Sequence, residues 1–110
     1  MEKQKILIAD DSEMNRALLV DILEDQYDIV EADNGAAAID LLTQCGGNFS
    51  LLLLDIMMPE MDGFEVLAYI NRYHLNDTLA VIMISADDSP ANIKRAYDLG
   101  AFDYISRPFD

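Results

Sequence analysis

The sequence predicts a single α/β domain built on a doubly wound parallel sheet. Short apolar runs alternate with amphipathic stretches in the order β-α-β-α-β-α-β-α-β. The apolar runs are continuous, which is typical of parallel strands covered on both faces. Crossovers between parallel strands are right-handed, so this order winds helices onto both sides of one sheet. A chain of 110 residues can bury one core and is too short for two domains.

Five segments have the composition of strands. They are residues 5–9 (KILIA), 27–32 (YDIVEA), 49–55 (FSLLLLD), 79–85 (LAVIMIS) and 102–106 (FDYIS). The second is shorter and resembles an edge strand. The third is a run of leucines that ends on an aspartate, Asp55. Burying a carboxylate there would cost several kcal/mol unless it is paired or coordinated, so Asp55 needs a functional explanation.

Four stretches between the strands have helical periodicity. The first follows Ser12, a favourable N-cap residue, and repeats apolar residues at helical spacing with one polar member. That stripe consists of Met14, Ala17, Leu18, Asp21 and Ile22. Residues 35–44 and 63–73 also repeat apolar residues at helical spacing. The fourth helix is predicted to have Ser89 as its cap and Pro90 at its first position, and to end at Gly100.

No helical pattern follows the last predicted strand, after which only RPFD (107–110) remains. In a sheet of this kind a fifth helix normally follows the last strand and completes one face. Without it, part of the sheet face beside the first helix would be exposed, which a soluble monomer avoids. We therefore expect residues 1–110 to be a domain cut from a longer protein after the fifth strand, or a partner to cover this face.

The charge balance and the cysteine content exclude several classes of function. Twenty-one acidic residues against seven basic ones give a formal net charge of −14, so we expect no nucleic-acid binding through a basic face. No apolar run approaches the roughly 20 residues of a membrane span, and the N-terminus has no secretory signal. Cys45 is the only cysteine, which excludes an internal disulfide and favours a reducing, cytoplasmic location.

Polar side chains follow the strands at one edge of the predicted sheet. Open α/β sheets bind ligands at the carboxyl ends of their strands, where the strand order reverses. The residues expected there are three carboxylates, a hydroxyl and a cation: Asp10, Asp11, Asp55, Ser85 and Arg107. Three neighbouring carboxylates repel one another unless a cation neutralises them, and a site with oxygen ligands alone suits Mg²⁺. An aspartate beside Mg²⁺ can attack phosphorus, so we expect Asp55 to accept a phosphoryl group.

Four stretches of the sequence are similar to the motifs of the response regulator receiver family of two-component signalling. They are ILIADDS, LLLLDIMMPEMDGFEVL, VIMISA and DLGAFDYISRPF, and the similarity covers nearly the whole chain. The resemblance implies a flavodoxin-like sheet of five parallel strands in the order 2-1-3-4-5. It also implies a regulatory phosphoacceptor rather than an enzyme, one that promotes its own phosphorylation and dephosphorylation. The phosphoryl donor would be the phosphohistidine of a histidine kinase or a phosphotransfer protein.

The resemblance assigns a role to each residue of the acidic site. Asp55 corresponds to the phosphorylated aspartate of the family. Asp10 and Asp11 correspond to the acidic pair that holds Mg²⁺, with Asp11 as the more direct ligand. Met57 occupies the position whose backbone carbonyl also binds the metal. The resemblance therefore implies a Mg²⁺ site formed by Asp10, Asp11, Asp55 and the carbonyl of Met57.

The resemblance also implies a conformational switch. Ser85 corresponds to the hydroxyl residue that moves to a phosphoryl oxygen on activation, and Tyr104 to the aromatic residue that moves inward with it. Ala86 corresponds to the small residue that leaves access to the phosphoryl group. Pro59 and Gly63 correspond to positions that shape the loop after the phosphorylation site. The family's output face is formed by the fourth helix, fifth strand and fifth helix.

Two departures from the family pattern leave an alternative function open. Arg107 stands where the family has a lysine that contacts the phosphoryl group, and a guanidinium is larger, planar and forked. The fifth helix, one third of the output face, is absent from this chain. The alternative is a docking or dimerisation module that keeps the receiver fold and acts without phosphorylation. Further partners implied by the resemblance are an effector domain after the C-terminal end and a second copy of the chain.

Two other functions are disfavoured by individual positions. A Mg²⁺-dependent phosphatase resembling the haloacid dehalogenase family would need a second aspartate two residues after the nucleophile, where this chain has Met57. A nucleotide- or flavin-binding domain would need a glycine-rich turn after the first strand, where this chain has ADDSEM.

Overall fold

The computed structural model describes residues 3–44, 49–86 and 89–106. Its five strands form one parallel sheet in the order β2-β1-β3-β4-β5, which confirms the predicted fold. The strands are Lys5–Ala9 (β1), Asp28–Ala32 (β2), Phe49–Asp55 (β3), Ala80–Ser85 (β4) and Asp103–Ser106 (β5). The helices are Glu13–Leu23 (α1), Gly35–Gln44 (α2), Gly63–Arg72 (α3) and Pro90–Asp98 (α4), and a short 3₁₀ helix spans Leu75–Asp77. Cys45 and Arg107 lie outside the described residues.

Local side-chain chemistry places the helix ends close to where the sequence predicts them. Ser12 and Ser89 each accept the backbone N–H three residues further on, at 3.3 and 3.4 Å, as N-caps do. Asp62 and Glu65 form a capping box at the start of α3. After α4, Gly100 adopts a left-handed conformation with a φ of 101°, which glycine tolerates without strain. None of the described helices combines the length and the apolar character that a bilayer crossing requires.

The main core lies between the sheet and the layer formed by α2, α3 and α4. Successive residues of a strand point to opposite faces, so each strand contributes alternate residues to this core. Its fully buried members include Leu7, Ala9, Leu52, Leu54, Val81 and Met83 from the strands and Ala38, Val66, Leu67, Ile70 and Ala96 from the helices. A smaller core on the opposite face consists of Ile6, Ile8, Leu19, Leu53 and Ile84, and α1 lies there over β1 and β2.

The apolar stripe that predicted α1 does not face the sheet. Met14, Leu18 and Ile22 are 81%, 49% and 60% exposed, and Ala17 and Asp21 are exposed as well. The residue of α1 that is buried against the sheet is Leu19, with Val20 and Leu23 packed partly beside it. The helix was therefore predicted correctly, and it packs on the sheet through a different face from the stripe that predicted it. A second set of apolar residues, shifted by one position along the helix, could equally have been taken for the buried face, and it is this set that packs against the sheet.

The exposed stripe of α1 borders a half of the sheet that α1 does not cover. Arg16, on the opposite flank of the helix, bonds to Glu31 of β2, so the flank with Leu18 faces the β3–β5 side. There Leu51 and Ile82 are half-buried and Ile105 is 38% exposed. Among the described residues, this half of the face is therefore more exposed than the half beneath α1.

The orientation of α1 predicts a contrast between two neighbouring leucines. Leu19→Ala removes buried side-chain volume and is expected to lower the free energy of unfolding by about 2–4 kcal/mol. Leu18→Ala removes a half-exposed side chain and should change it by about 0.5 kcal/mol or less. Urea unfolding measures the free energy of unfolding of both variants, and the two can be compared directly because both replace leucine with alanine. Equal losses, or a larger loss for Leu18→Ala, would show that the helix packs through the other stripe.

Candidate functional site

Three carboxylates meet where β1 and β3, the two central neighbours of the sheet, reach their carboxyl ends. Asp10, Asp11 and Asp55 can each place one oxygen within 4.8 Å of the others. Asp10 is 1% and Asp55 6% exposed, whereas Asp11 is open to solvent. Two buried carboxylates beside a third are costly in the absence of a compensating charge. The arrangement is therefore one that a bound cation would stabilise.

Backbone pairing holds the two buried carboxylates in place. Asp55 is the last residue of β3 and pairs in register with Ile84 of β4, while Leu54 pairs with Ala9 of β1 on the other side. Asp10 extends β1 by one residue, because its N–H donates to the carbonyl of Ala32 at 3.0 Å. The carboxylate of Asp10 accepts the N–H of Ser12 at 2.8 Å. Both side chains thus start from backbone that the sheet fixes.

The loop that follows Asp55 turns back tightly against the strand. Pro59 and the left-handed Glu60, with a φ of 67°, reverse the chain. Gly63 then donates its N–H to the carbonyl of Ile56 at 2.8 Å. A Cβ at Gly63 would lie 2.3 Å from the carbonyl oxygen of Asp55, closer than any side chain can approach. Glycine is required at this position because α3 begins directly against the backbone of the site.

Ser85 and Tyr104 lie one and two strands away from Asp55. Ser85 is buried at the end of β4. Tyr104 is half-buried in β5, pairs in register with Met83, and packs against the main core. Because paired residues of parallel strands share a face and alternate residues return to it, Tyr104, Met83 and Ser85 lie on one side of the sheet. Ala86, the next residue after β4, is exposed.

The two remaining residues of the predicted site are Met57 and Arg107. The side chain of Met57 is 74% exposed, which leaves its backbone carbonyl as the atom relevant to a metal. Arg107 lies outside the described residues.

The donor set fits a hard divalent cation. Mg²⁺ binds oxygen at about 2.0–2.1 Å in octahedral geometry, which puts neighbouring ligand oxygens about 3 Å apart and opposite ones about 4 Å apart. The three carboxylates come within this range with small side-chain adjustments, since their oxygens already lie within 4.8 Å of one another. Within the part of the chain that the structure describes, no histidine or cysteine joins this cluster. Oxygen ligands alone disfavour zinc and copper.

Two contacts were not predicted from the sequence, one at the site and one at the start of β5. Arg16 donates to the backbone carbonyl of Asp10 at 2.7 Å. The hydroxyl of Tyr97 on α4 donates to the carboxylate of Asp103 at 3.1 Å, and the same carboxylate accepts the N–H of Tyr104 at 2.8 Å. One signal for Arg16 was available, because a cation near a helix N-terminus opposes the helix dipole and needs a compensating partner. The contact between Tyr97 and Asp103 depends on how α4 lies against β5, which the sequence does not specify.

Comparison with known proteins gives one consistent family. A family model described as the response regulator receiver domain matches residues 6–110. The transcriptional regulatory protein SrrA of Staphylococcus aureus is 37% identical over 106 residues, or 96% of this chain and 42% of that protein. A probable cyclic di-GMP phosphodiesterase of Vibrio cholerae is 37% identical over 103 residues, or 94% of this chain and 23% of that protein. The chain thus spans less than half the length of these relatives.

The fold is also similar to those of solved structures. A chain in the crystal structure of the CheX–CheY–BeF₃–Mg²⁺ complex from Borrelia burgdorferi superposes with a TM-score of 0.92 and 31% sequence identity. The match covers 99% of this chain and 81% of that chain. The fold of this chain is therefore shared with a chain of a complex that was crystallised with Mg²⁺.

The bond between Tyr97 and Asp103 predicts an alkaline shift of one tyrosine. The hydrogen bond to Asp103 raises the pKa of Tyr97 above its usual value, with partial burial and the charge of Asp103 acting in the same direction. Because the folded-state pKa is raised, the stability from this bond is present below the unfolded pKa of about 10 and is lost as the pH rises through the folded value.

Titration of tyrosinate absorbance measures this shift. The difference between the unsubstituted chain and Tyr97→Phe isolates the titration of Tyr97 among the five tyrosines. Repeating that difference in an Asp103→Ala background should move the titration to lower pH. A titration of Tyr97 at the same pH in both backgrounds would show that the bond does not form in solution.

Proposed function

The chain belongs to the response regulator receiver family, and from this premise we propose that Asp55 accepts a phosphoryl group in a Mg²⁺-dependent phosphorelay. Receiver domains are regulatory phosphoacceptors that bind Mg²⁺ in an acidic pocket. The observation that carries the proposal is the convergence of Asp10, Asp11 and Asp55 within 4.8 Å at the edge of the sheet. One of the three, Asp55, lies at the end of β3, whose backbone is fixed by pairing with a strand on each side.

In the proposed reaction an oxygen of Asp55 attacks the phosphorus of a phosphohistidine. The new O–P bond forms as the P–N bond breaks, and the electron pair of that bond stays with the departing imidazole, which takes a proton from water. Bound Mg²⁺ would neutralise the phosphoryl oxygens during this transfer. Asp10, Asp11 and the carbonyl of Met57 would hold the cation, with Asp11 best placed for direct contact because it is exposed. The strands position the nucleophile before the donor arrives.

The proposed switch couples the phosphoryl group to the output face through β4 and β5. The hydroxyl of Ser85 would donate to a phosphoryl oxygen, and the adjoining exposed Ala86 leaves room for that group. Tyr104 lies on the same side of the sheet and is half-buried, so an inward movement would bury more of its ring. Arg107 would supply the cation that the family takes from lysine. The roles of Ser85, Ala86 and Tyr104 rest on their positions and on the family pattern, and that of Arg107 rests on the family pattern alone.

The proposed partners follow from the family and from the uncovered sheet face. A histidine kinase or phosphotransfer protein would donate the phosphoryl group in the cytoplasm. The half of the face with Leu51, Ile82 and Ile105 is where a helix following β5, an effector domain or a second copy would pack. The two relatives named above carry different activities in their names, so the receiver fold alone does not specify the output.

Phosphorylation by a small-molecule donor tests the proposed function directly. Incubation with acetyl phosphate and Mg²⁺ is expected to add the mass of one phosphoryl group, read by intact mass spectrometry. The gain should require Mg²⁺ and should vanish in Asp55→Asn, which keeps the shape of the side chain and removes the nucleophile. Asp77→Asn, an exposed aspartate at the opposite end of the sheet, is the matched control and should still be modified. If Mg²⁺ binds and no mass is gained, the phospho-independent docking module is the better account, and Arg107→Lys is the variant to test next.

Substitution of Asp11 is expected to have different effects on stability with and without Mg²⁺. A ligand at about 100 times its Kd stabilises the folded state by about 2.7 kcal/mol, so Mg²⁺ should raise the Tm and chelation should reverse it. Asp11→Asn is expected to abolish most of this rise. Without Mg²⁺ the same variant should be more stable than the unsubstituted chain, because one of three mutually repelling charges is gone. Asp21→Asn removes an exposed charge from the outer face of α1 and serves as the control.

A further inference from the structure

Arg16 connects the start of α1 to the acidic edge of the sheet. Its Nη1 donates to the backbone carbonyl of Asp10 at 2.7 Å, and its Nε donates to the carboxylate of Glu31 on β2 at 3.1 Å. The side chain is only 15% exposed, so the guanidinium is packed in place rather than solvated. A planar guanidinium can satisfy two acceptors at a fixed angle, which an ammonium group cannot do.

The bond to Asp10 falls at the point where the chain leaves the sheet. The N–H of Asp10 still belongs to the β1–β2 ladder, because it donates to the carbonyl of Ala32 at 3.0 Å. The carbonyl of Asp10 is bonded to Arg16. Arg16 therefore closes the end of the ladder where the strand becomes the turn into α1.

Holding that carbonyl also orients the next residue. The carbonyl of Asp10 and the N–H of Asp11 belong to one planar peptide unit, so fixing the oxygen fixes the plane. The direction in which Asp11 leaves the backbone is set by that plane. Asp11 is exposed, and among the described residues no hydrogen bond or ion pair to its side chain holds it toward Asp10 and Asp55. The position of its carboxylate depends on the peptide that precedes it.

We propose that Arg16 is a positioning residue for the metal site, which acts by holding the peptide between Asp10 and Asp11. The proposal rests on the Mg²⁺ site of the proposed function and adds a residue that would not itself coordinate the cation. The contact with Glu31 holds the guanidinium against β2 and turns its Nη1 toward the carbonyl. Through these two contacts, the position of the Asp11 carboxylate depends on the position of β2.

Positioning and charge have effects of opposite sign at this residue. If Arg16 acted only through its positive charge, its removal would leave the site more negative, and Mg²⁺ would bind more tightly. If Arg16 positions Asp11, its removal lets the turn relax, and Mg²⁺ binds less tightly. Substitution of residues that orient metal ligands typically lowers affinity by about 10- to 100-fold. Since Arg16 acts through the backbone, we expect the lower end of that range.

The experiment measures the Mg²⁺ affinity of Arg16→Met by calorimetry. Methionine keeps an unbranched apolar stem and removes the guanidinium, and an approximately tenfold rise in Kd is expected. Arg72→Met is the matched control, since Arg72 lies exposed on α3 against Tyr73 and should leave the Kd within about twofold. A second variant, Arg16→Lys, keeps the charge and should give an intermediate loss, because one ammonium cannot hold both acceptors in the same geometry.

A second readout needs no metal. The backbone amide of Asp11 should shift in the NMR spectrum of metal-free Arg16→Met, and its hydrogen exchange should speed up, while amides of β4 stay unchanged. A Kd for Mg²⁺ that is equal to or tighter than that of the unsubstituted chain in both Arg16 variants would overturn the proposal. If the unsubstituted chain binds no Mg²⁺, the proposed function fails instead, and the amide of Asp11 still reports whether Arg16 holds this peptide.

Discussion

Asp10, Asp11 and Asp55 bring three like charges to one edge of the sheet, with one oxygen of each within 4.8 Å of the others. Two unit charges about 4 Å apart interact by about 4 kcal/mol at an effective dielectric constant of about 20. A flexible backbone would let such charges separate. Here the backbones of the two buried aspartates are held close together, because β1 and β3 are adjacent strands that pair in register from Ile6–Leu51 to Ala9–Leu54. A bound cation would relieve the repulsion between their carboxylates.

The two apolar cores are what make that edge rigid. β3 is paired with a strand on each side and contributes residues to the core on each face of the sheet. These contacts restrain its end both within the plane of the sheet and perpendicular to it. The approach of α3 adds a further restraint, since Gly63 lies against the carbonyl of Asp55 with no room for a Cβ. Hydrophobic burial stabilises the strands, and the strands in turn hold charges in an arrangement that is unfavourable by itself. The site is thus a consequence of packing that lies mostly beneath it.

The sequence predicted those features that depend on local chemistry and missed those that depend on how elements lie against one another. Continuous runs such as LLLL and the caps Ser12 and Ser89 fixed the strands and helix starts to within about one residue. The order of strands and the meeting of Asp10, Asp11 and Asp55 follow from topology, because parallel strands bring their carboxyl ends to one edge. The buried face of α1 did not follow. Apolar residues occupy two of its flanks, and periodicity alone does not say which flank the sheet receives.

The contact between α4 and β5 is another feature that depends on how elements lie against one another. α4 is held at its C-terminal end, where Tyr97 bonds to Asp103 and the N–H of Gly100 donates to the carbonyl of Tyr97 at 3.0 Å. Its N-terminal end begins at Pro90, a few residues after Ser85 at the acidic edge. The two ends of α4 therefore lie beside different parts of the sheet, the first at the acidic edge and the second at the start of β5. Asp103 also accepts the N–H of Tyr104, so the contact that holds the C-terminal end of α4 is joined to the backbone of the residue proposed to switch. One carboxylate thus links the position of α4 to the backbone of β5.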